Sequence, residues 1–175
     1  MIPIYKNILT TVIAPHGITD IIHAVQYNIT SELLALNGAV LGASVIMANN
    51  APMLLDGAFM AASVVHFRHD MPTIKYVPKS AQSTLLIGSS VLYDPNIFFL
   101  YMVATHVPNH YRTNWRYIRE NTEKNVGLII LFTLTLYLCG ELFPALYESK
   151  LAFDCSKGLV ISHIIYDEKH IYNDE

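Results

Sequence analysis

Histidine is the residue type of this chain best suited to chemistry, and five of its eight copies recur in a regular pattern. Four pairs stand four residues apart: His16 with Asp20, His66 with Asp70, His106 with His110, and His163 with Asp167. In an α-helix this spacing puts both side chains on one face. Imidazole is a common metal ligand near neutral pH, and a carboxylate often holds its second ring nitrogen. The pattern therefore predicts a metal site, and the donor type alone fits Fe(II), Zn(II) or Cu(II).

The composition of the chain predicts that these histidines lie in a membrane protein. Of 175 residues, 53% are hydrophobic and 14% are charged, whereas soluble domains average about 25% charged residues. Polar side chains are costly inside a bilayer, so histidines within apolar segments indicate a functional cavity. The formal net charge of -3 gives no reason to expect nucleic acid as a partner. We expect one integral-membrane helical domain that comprises residues 1–175.

Apolar runs separated by polar residues predict the helices that position the histidines. The runs cover residues 7–26, 33–48, 52–67, 81–107, 126–146 and 158–172. Since a membrane-spanning helix needs roughly 20 apolar residues, the predicted fold is an all-α, polytopic membrane bundle of about five to seven helices, some of them short or broken.

The run 81–107 contains Asp94 and Pro95, which predict a break. Proline lacks an N–H, and the residue before it avoids the helical region. We therefore expect a helical hairpin of residues 81–93 and 96–109, which returns the chain to its starting side. Two basic loops would then share one face, the cytoplasmic one by the positive-inside rule. Their basic residues are Arg68, Lys75 and Lys79, and Arg112, Arg116, Arg119 and Lys124.

Four short motifs carry a resemblance to a known family. They are PHGITD (15–20), HFRHD (66–70), THVPNHY (105–111) and GLVISHIIYDE (158–168). In this order they resemble the Brp/Blh family of membrane β-carotene 15,15'-dioxygenases. That family has Pro-His-Gly-Ala-Leu-Asp, His-Phe-Gly followed by Asp, a His-x-x-x-His pair and a late Pro-His ahead of Asp. This chain is shorter between its second and third motifs, and Arg68 and Ser162 replace a family glycine and proline.

The resemblance implies a site and an activity. The implied Fe(II) ligands, which would also be the catalytic residues, are His16, His66, His106 and His110. Asp20, Asp70 and His163 would contact those ligands without binding the metal. Iron with open coordination positions binds O2, and the family reaction cleaves the central double bond of β-carotene to give two retinals. Membrane lipids would surround the protein, and its retinal would supply a rhodopsin.

Other side chains receive expectations of their own. The residues expected to line a carotenoid tunnel are aromatic or Met side chains near the histidines: Phe67, Phe98, Phe99, Tyr101 and Met102. The expected interfacial anchor comprises Tyr111, Arg112, Trp115 and Tyr117. His69 stands three residues after His66 and is the alternative ligand at that position, while His23 and His170 are expected to be structural.

Two other functions fit the same residues. The spacings His66-x-x-His69 and His106-x-x-x-His110 resemble the boxes of di-iron desaturases and hydroxylases, but those enzymes also carry adjacent His-His pairs, which this sequence lacks. The second alternative is a small membrane protein that binds or transports metal without catalysis. A shortened family member that has lost activity belongs to the same class.

Overall fold

The computed structural model describes residues 14–147 and 149–172, and all the regular elements in those ranges are helical. The prediction of an all-α fold is therefore confirmed, although residues 7–13 of the first predicted helix lie outside the described residues. A 3-10 turn, Ala14–Gly17, precedes the α-helices. These are α1 (Ile18–Gln26), α2 (Thr30–Asn50), α3 (Pro52–Phe67), α4 (Lys79–Leu92), α5 (Pro95–Tyr101), α6 (Val107–Thr113), α7 (Trp115–Glu120), α8 (Thr122–Leu142), α9 (Pro144–Tyr147) and α10 (Lys150–His170).

The predicted break at Asp94 and Pro95 separates α4 from α5. The Asp94 side chain caps α5 by accepting a hydrogen bond of 2.9 Å from the backbone N–H of Asn96. Helices α4 and α5 pack against each other. Lys79, at the start of α4, and Arg112, beyond α5, line the same cavity. The chain therefore returns to its starting side, as the hairpin prediction required.

Helix α10 packs against α2 and α3 and forms the centre of the fold. It begins at Lys150 rather than at the predicted residue 158, because Lys150, Asp154 and Lys157 interrupt the apolar residues of its first two turns. Lys150 and Lys157 both bind the buried carboxylate of Asp154 in those turns. Gly158 brings α10 close to α2, since a Cβ placed there would lie 2.7 Å from the Ser44 hydroxyl.

Two of the described helices, α2 and α8, are long and apolar enough to cross a membrane. The prediction was a bundle of five to seven membrane helices, and the structure supports two such helices among the described residues. Helices α3 and α4 are shorter, with 16 and 14 residues. The prediction that Tyr117 is an interfacial residue is wrong, because its side chain is buried in the core against Ile22 and Ile171. Its neighbour Trp115 is exposed.

Candidate metal centre

Five histidine rings converge in the interior from five different elements. They are His16, His66, His106, His110 and His163. The ring centroid of His16 lies 5.3 Å from that of His106 and 5.0 Å from those of His110 and His163. The centroid of His66 lies 4.9 Å from that of His106. The structure thus brings together the four predicted iron ligands and adds His163 to them.

A change of helix type positions His106. Residues Met102–His106 form a π-helical turn between α5 and α6. Pro108 follows within the first turn of α6, where its missing N–H leaves one backbone carbonyl of the preceding turn without its usual partner. Single π-helical turns inside α-helices are frequent at functional sites. Here the turn brings the rings of His106 and His110 to a centroid distance of 5.8 Å.

Carboxylates hold three of the five rings. Nδ1 of His106 lies 2.7 Å from Oδ2 of Asp70, and Nδ1 of His163 lies 2.8 Å from Oδ2 of Asp20. Nε2 of His110 lies 2.8 Å from Oδ2 of Asp167. Asp70 therefore contacts one of the implied ligands, His106, as expected. Asp20 instead bonds His163, which the resemblance did not count among the ligands. For His106 and His163 the carboxylate on Nδ1 fixes the tautomer and leaves Nε2 for a metal.

Asp70 is the most fully bonded of these carboxylates. Its Oδ2 atom also accepts a hydrogen bond of 2.8 Å from the Tyr101 hydroxyl, and Oδ1 accepts one of 3.2 Å from Asn109. Burial alone would raise the pKa of Asp70, but the hydrogen bonds from His106, Tyr101 and Asn109 hold that pKa below its usual value. Asp70 is therefore an ionised acceptor. Its bond to His106 places the proton on Nδ1 and leaves the lone pair on Nε2.

The cluster contains buried polar atoms that have no hydrogen-bond partner in the described part of the chain. They are both ring nitrogens of His66, Nε2 of His163, and Oδ1 of Asp20 and of Asp167. His66 is only 2% exposed. A buried polar atom left without a partner costs about 1–3 kcal/mol. A metal cation would accept these lone pairs and offset the buried carboxylate charge, so the residues present fit a metal ion.

One group among the described residues has ligand atoms close enough to hold a single ion. Its members, Asp20, His110, His163 and Asp167, place one ligand atom each within 4.8 Å of the others. This group can hold a metal, and it includes Asp20 and His163, for which the resemblance implied contact with the ligands only. It also adds Asp167, which stands four residues after His163 and for which the resemblance implied no role. Thr19 and Asn114 complete the surroundings of His110, at 3.4 and 3.2 Å from Nδ1.

The remaining histidines have partners outside the cluster. Nε2 of His69 lies 2.8 Å from Oε1 of Glu168, and its ring stacks on Tyr172 at a centroid distance of 3.9 Å. His23 bonds the Tyr166 hydroxyl, and His170 bonds Glu32. Of the two histidines in HFRHD, the structure therefore brings His66 into the cluster and places His69 at its edge.

Most of the residues expected to contact substrate form one packed group beside His106. Phe67 and Met102 are buried together with Ile87, and Phe98 and Tyr101 pack against them. The Phe67 ring lies 4.8 Å from that of His106. Phe99 is half-buried. An apolar cavity of about 300 Å³ lies elsewhere, between α2, α3 and α10, where Val40, Leu55 and Ile161 are among its lining residues.

Comparison of the chain with models of known protein families, with curated proteins and with solved structures found no match.

Proposed function

We propose that this protein is an integral-membrane, iron-dependent oxygenase that uses O2 to cleave the central double bond of β-carotene or of a similar carotenoid. The observation that carries the proposal is the environment of His66. Its two ring nitrogens are buried without a hydrogen-bond partner among the described residues, and its ring contacts those of His106 and His163. Because a buried nitrogen without a partner is costly, this environment supports a role for His66 as a metal ligand.

The residues proposed to hold Fe(II) are His16, His66, His106 and His110. Ferrous iron with open coordination positions would supply the activation of O2. Asp70 contributes by orienting His106 through the 2.7 Å contact at Nδ1. Burial of the cluster excludes bulk water, since His106 and His110 are each 1% exposed. Exclusion of water protects a reactive site from side reactions.

The reaction balances without an additional reductant. The central carbon–carbon double bond breaks, two aldehyde C=O bonds form, and each retinal receives one atom of O2. Selection of that bond depends on positioning, because the other double bonds of a polyene are chemically similar. We assign the positioning to the packed side chains of Phe67, Phe98, Tyr101 and Met102 beside His106, with Phe99 as a further lining residue. The retinal formed would be available to a rhodopsin.

The membrane location is supported by the outer faces of α2 and α8. Their most apolar windows have mean hydropathies of 1.5 and 1.7, yet only 17% and 11% of the residues in those windows are buried. A core helix of a soluble protein would be mostly buried. On α8, Leu131 and Leu142 are 62% and 69% exposed. Membrane lipids would cover this surface. We expect the protein to stay in the membrane pellet after alkaline carbonate extraction, and release into the supernatant would contradict the location.

The activity is tested by expressing the chain in cells that produce β-carotene and measuring retinal by chromatography. The wild-type chain should deplete β-carotene and form retinal when iron is supplied. The variant His66→Ala should form none, whereas His69→Ala, which changes the same residue type one turn away, should retain activity. Membrane expression of each variant is checked by immunoblot. Undiminished β-carotene with a well-expressed wild-type chain would contradict the enzymatic proposal.

One other candidate function, a di-iron oxygenase, is favoured by the group of Asp20, His110, His163 and Asp167. Asp20 and Asp167 add carboxylate donors beside His110 and His163, and mixed His and carboxylate ligands suit a pair of iron ions. The metal content of the purified protein separates the two candidates. One iron per chain supports the carotenoid-cleaving oxygenase, and two support the di-iron enzyme.

A further inference from the structure

A polar cavity of about 550 Å³ lies at the end of the bundle where α4 begins and α6 ends. It is separate from the apolar cavity between α2, α3 and α10. Its lining residues are His69, Asp70, Lys79, Asn109, Arg112, Thr113, Arg116 and Tyr172. The two basic loops of the sequence thus contribute to one cavity that is open to the surface.

Three permanent cations line this cavity, and none forms an ion pair with a residue in the described ranges. Lys79, Arg112 and Arg116 are exposed and have no carboxylate partner there. The lysines of α10 differ, because Lys150 and Lys157 both bind Asp154. Arg116 also lies over the Tyr117 ring, 4.6 Å from its centroid, a contact that leaves its positive charge without a carboxylate partner.

The only carboxylate among the cavity's described lining residues, Asp70, offsets one of the three positive charges, but its oxygens are engaged by other side chains. Both oxygens of Asp70 are occupied, Oδ2 by His106 and Tyr101 and Oδ1 by Asn109. His69 is paired with Glu168 and stacks on Tyr172, so these rings form a wall of the cavity. The Thr113 side chain adds a hydroxyl to the lining. The cavity thus presents three basic side chains, one hydrogen-bonded carboxylate and further polar groups, a lining of net positive charge that suits an anion.

The position of the cavity selects the kind of anion. Arg116 belongs to α7, which packs against α8, and α8 begins at Thr122 as a helix apolar enough to cross a membrane. The cations therefore lie beside the end of an apolar helix, at the level where lipid headgroups meet water. Arginine presents a planar array of donors that matches phosphate oxygens, and lysine adds a point charge.

We propose that this cavity is a binding site for the phosphate group of an anionic phospholipid headgroup. Lys79, Arg112 and Arg116 bind the phosphate oxygens, and the acyl chains lie along the apolar outer surface of the bundle. The site rests on the proposed membrane location but not on the proposed oxygenase chemistry, because it requires no metal and no carotenoid.

The test uses the full chain purified in a neutral detergent, with its thermal unfolding midpoint as the readout. Added phosphatidylglycerol should raise the midpoint of the wild-type protein, because a ligand that binds only the folded state stabilises it. Phosphatidylcholine should not. The variant K79Q/R112Q/R116Q should lose most of the phosphatidylglycerol shift. The matched control K75Q/R119Q/K124Q removes the same charge from exposed positions outside the cavity and should keep it.

Three outcomes would overturn the proposal. The first is the absence of a shift for the wild-type protein, and the second is an equal loss in both triple variants, which would indicate general attraction to basic charge. The third is a shift produced by inorganic phosphate at matched ionic strength but not by phosphatidylglycerol, which would reassign the cavity to a soluble phosphate compound. If the triple variant does not fold by circular dichroism, R112Q is compared with R119Q by counting phosphatidylglycerol molecules retained in native mass spectrometry.

Discussion

Nδ1 of His163 lies 2.8 Å from Oδ2 of Asp20, although 143 residues separate them in the sequence. The contact joins α10 to α1 inside the histidine cluster. With Nδ1 held by the carboxylate, Nε2 of His163 is the nitrogen available to a ligand. That atom is buried, has no hydrogen-bond partner among the described residues, and lies 3.6 Å from Oδ2 of Asp167. The pair therefore leaves His163 able to bind a metal, whereas the family resemblance implied only contact with the ligands.

The first prediction concerns His163. His163→Ala should lower metal affinity by about 10-fold or more, since loss of a group that binds or orients a ligand typically costs 10–100-fold. His170→Ala is the matched control on the same helix, because His170 bonds Glu32 away from the cluster. Iron per folded chain, measured by mass spectrometry of the metal after dialysis against a chelator, checks the prediction. Equal iron content in both variants would remove His163 from the site.

The second prediction concerns Asp70, the carboxylate that contacts Nδ1 of His106. Asp70→Asn keeps the shape of the side chain but removes the charge that fixes the His106 tautomer, so iron affinity should fall by about 10–100-fold. Tyr101→Phe removes only one of the hydrogen bonds to Asp70 and should have a smaller effect. Chelator competition measures both affinities. A larger loss for Tyr101→Phe than for Asp70→Asn would contradict the assignment.

The third prediction concerns the contact between α10 and α2. A Cβ at residue 158 would lie 2.7 Å from Oγ and 2.8 Å from Cβ of Ser44. Gly158→Ala should therefore destabilise the fold by about 1–3 kcal/mol, as overpacking does. Adding Ser44→Gly should restore much of the loss, because it removes both contacting atoms. Gly57→Ala, where a Cβ meets no atom within 4 Å, is the control. Unfolding midpoints in detergent provide the measurement, and a double variant no more stable than Gly158→Ala alone would refute the steric explanation.

The fourth prediction concerns the pH dependence of stability. Hydrogen bonds from Lys150 and Lys157 hold the pKa of Asp154 below its usual value, despite an opposing effect of burial. A lowered pKa in the folded state stabilises the protein above the ordinary aspartate pKa of about 3.9, and this contribution is lost as the pH falls through the folded-state value. Asp154→Asn should be less stable at pH 7 and lose less stability between pH 5 and pH 3.

The exposed Glu123 provides the control for this series. Glu123→Gln should keep the pH dependence of the wild-type protein. Thermal unfolding midpoints at closely spaced pH values distinguish the variants. If the unfolding midpoint of Asp154→Asn depends on pH as steeply as that of the wild-type protein, the ion pairs of Asp154 with Lys150 and Lys157 do not stabilise the fold.

Much of the architecture follows from local sequence. Asp94 and Pro95 separate α4 from α5. Pro95 has no N–H to donate to a preceding helix, and the Asp94 side chain accepts a hydrogen bond from the first turn of α5. Apolar composition predicted helices in the right places. It failed at the start of α10, where Asp154 is buried with lysine partners. The pattern of aromatic and basic residues gave a wrong prediction at Tyr117, since an aromatic side chain beside arginines suits an interface and a core equally well.

The sequence by itself identified four pairs at a spacing of four residues, which share a face wherever one α-helix spans both members. Only His163 and Asp167 lie within one α-helix, α10, whereas a 3-10 or π-helical turn holds one member of each other pair. Only the tertiary structure decided which carboxylate bonds which histidine. Asp20 pairs with His163, Asp70 with His106 and Asp167 with His110. These contacts depend on how the helices pack against one another, and side-chain spacing within one helix carries no information about its neighbours. The convergence of Lys79, Arg112 and Arg116 on one cavity was settled by the same packing.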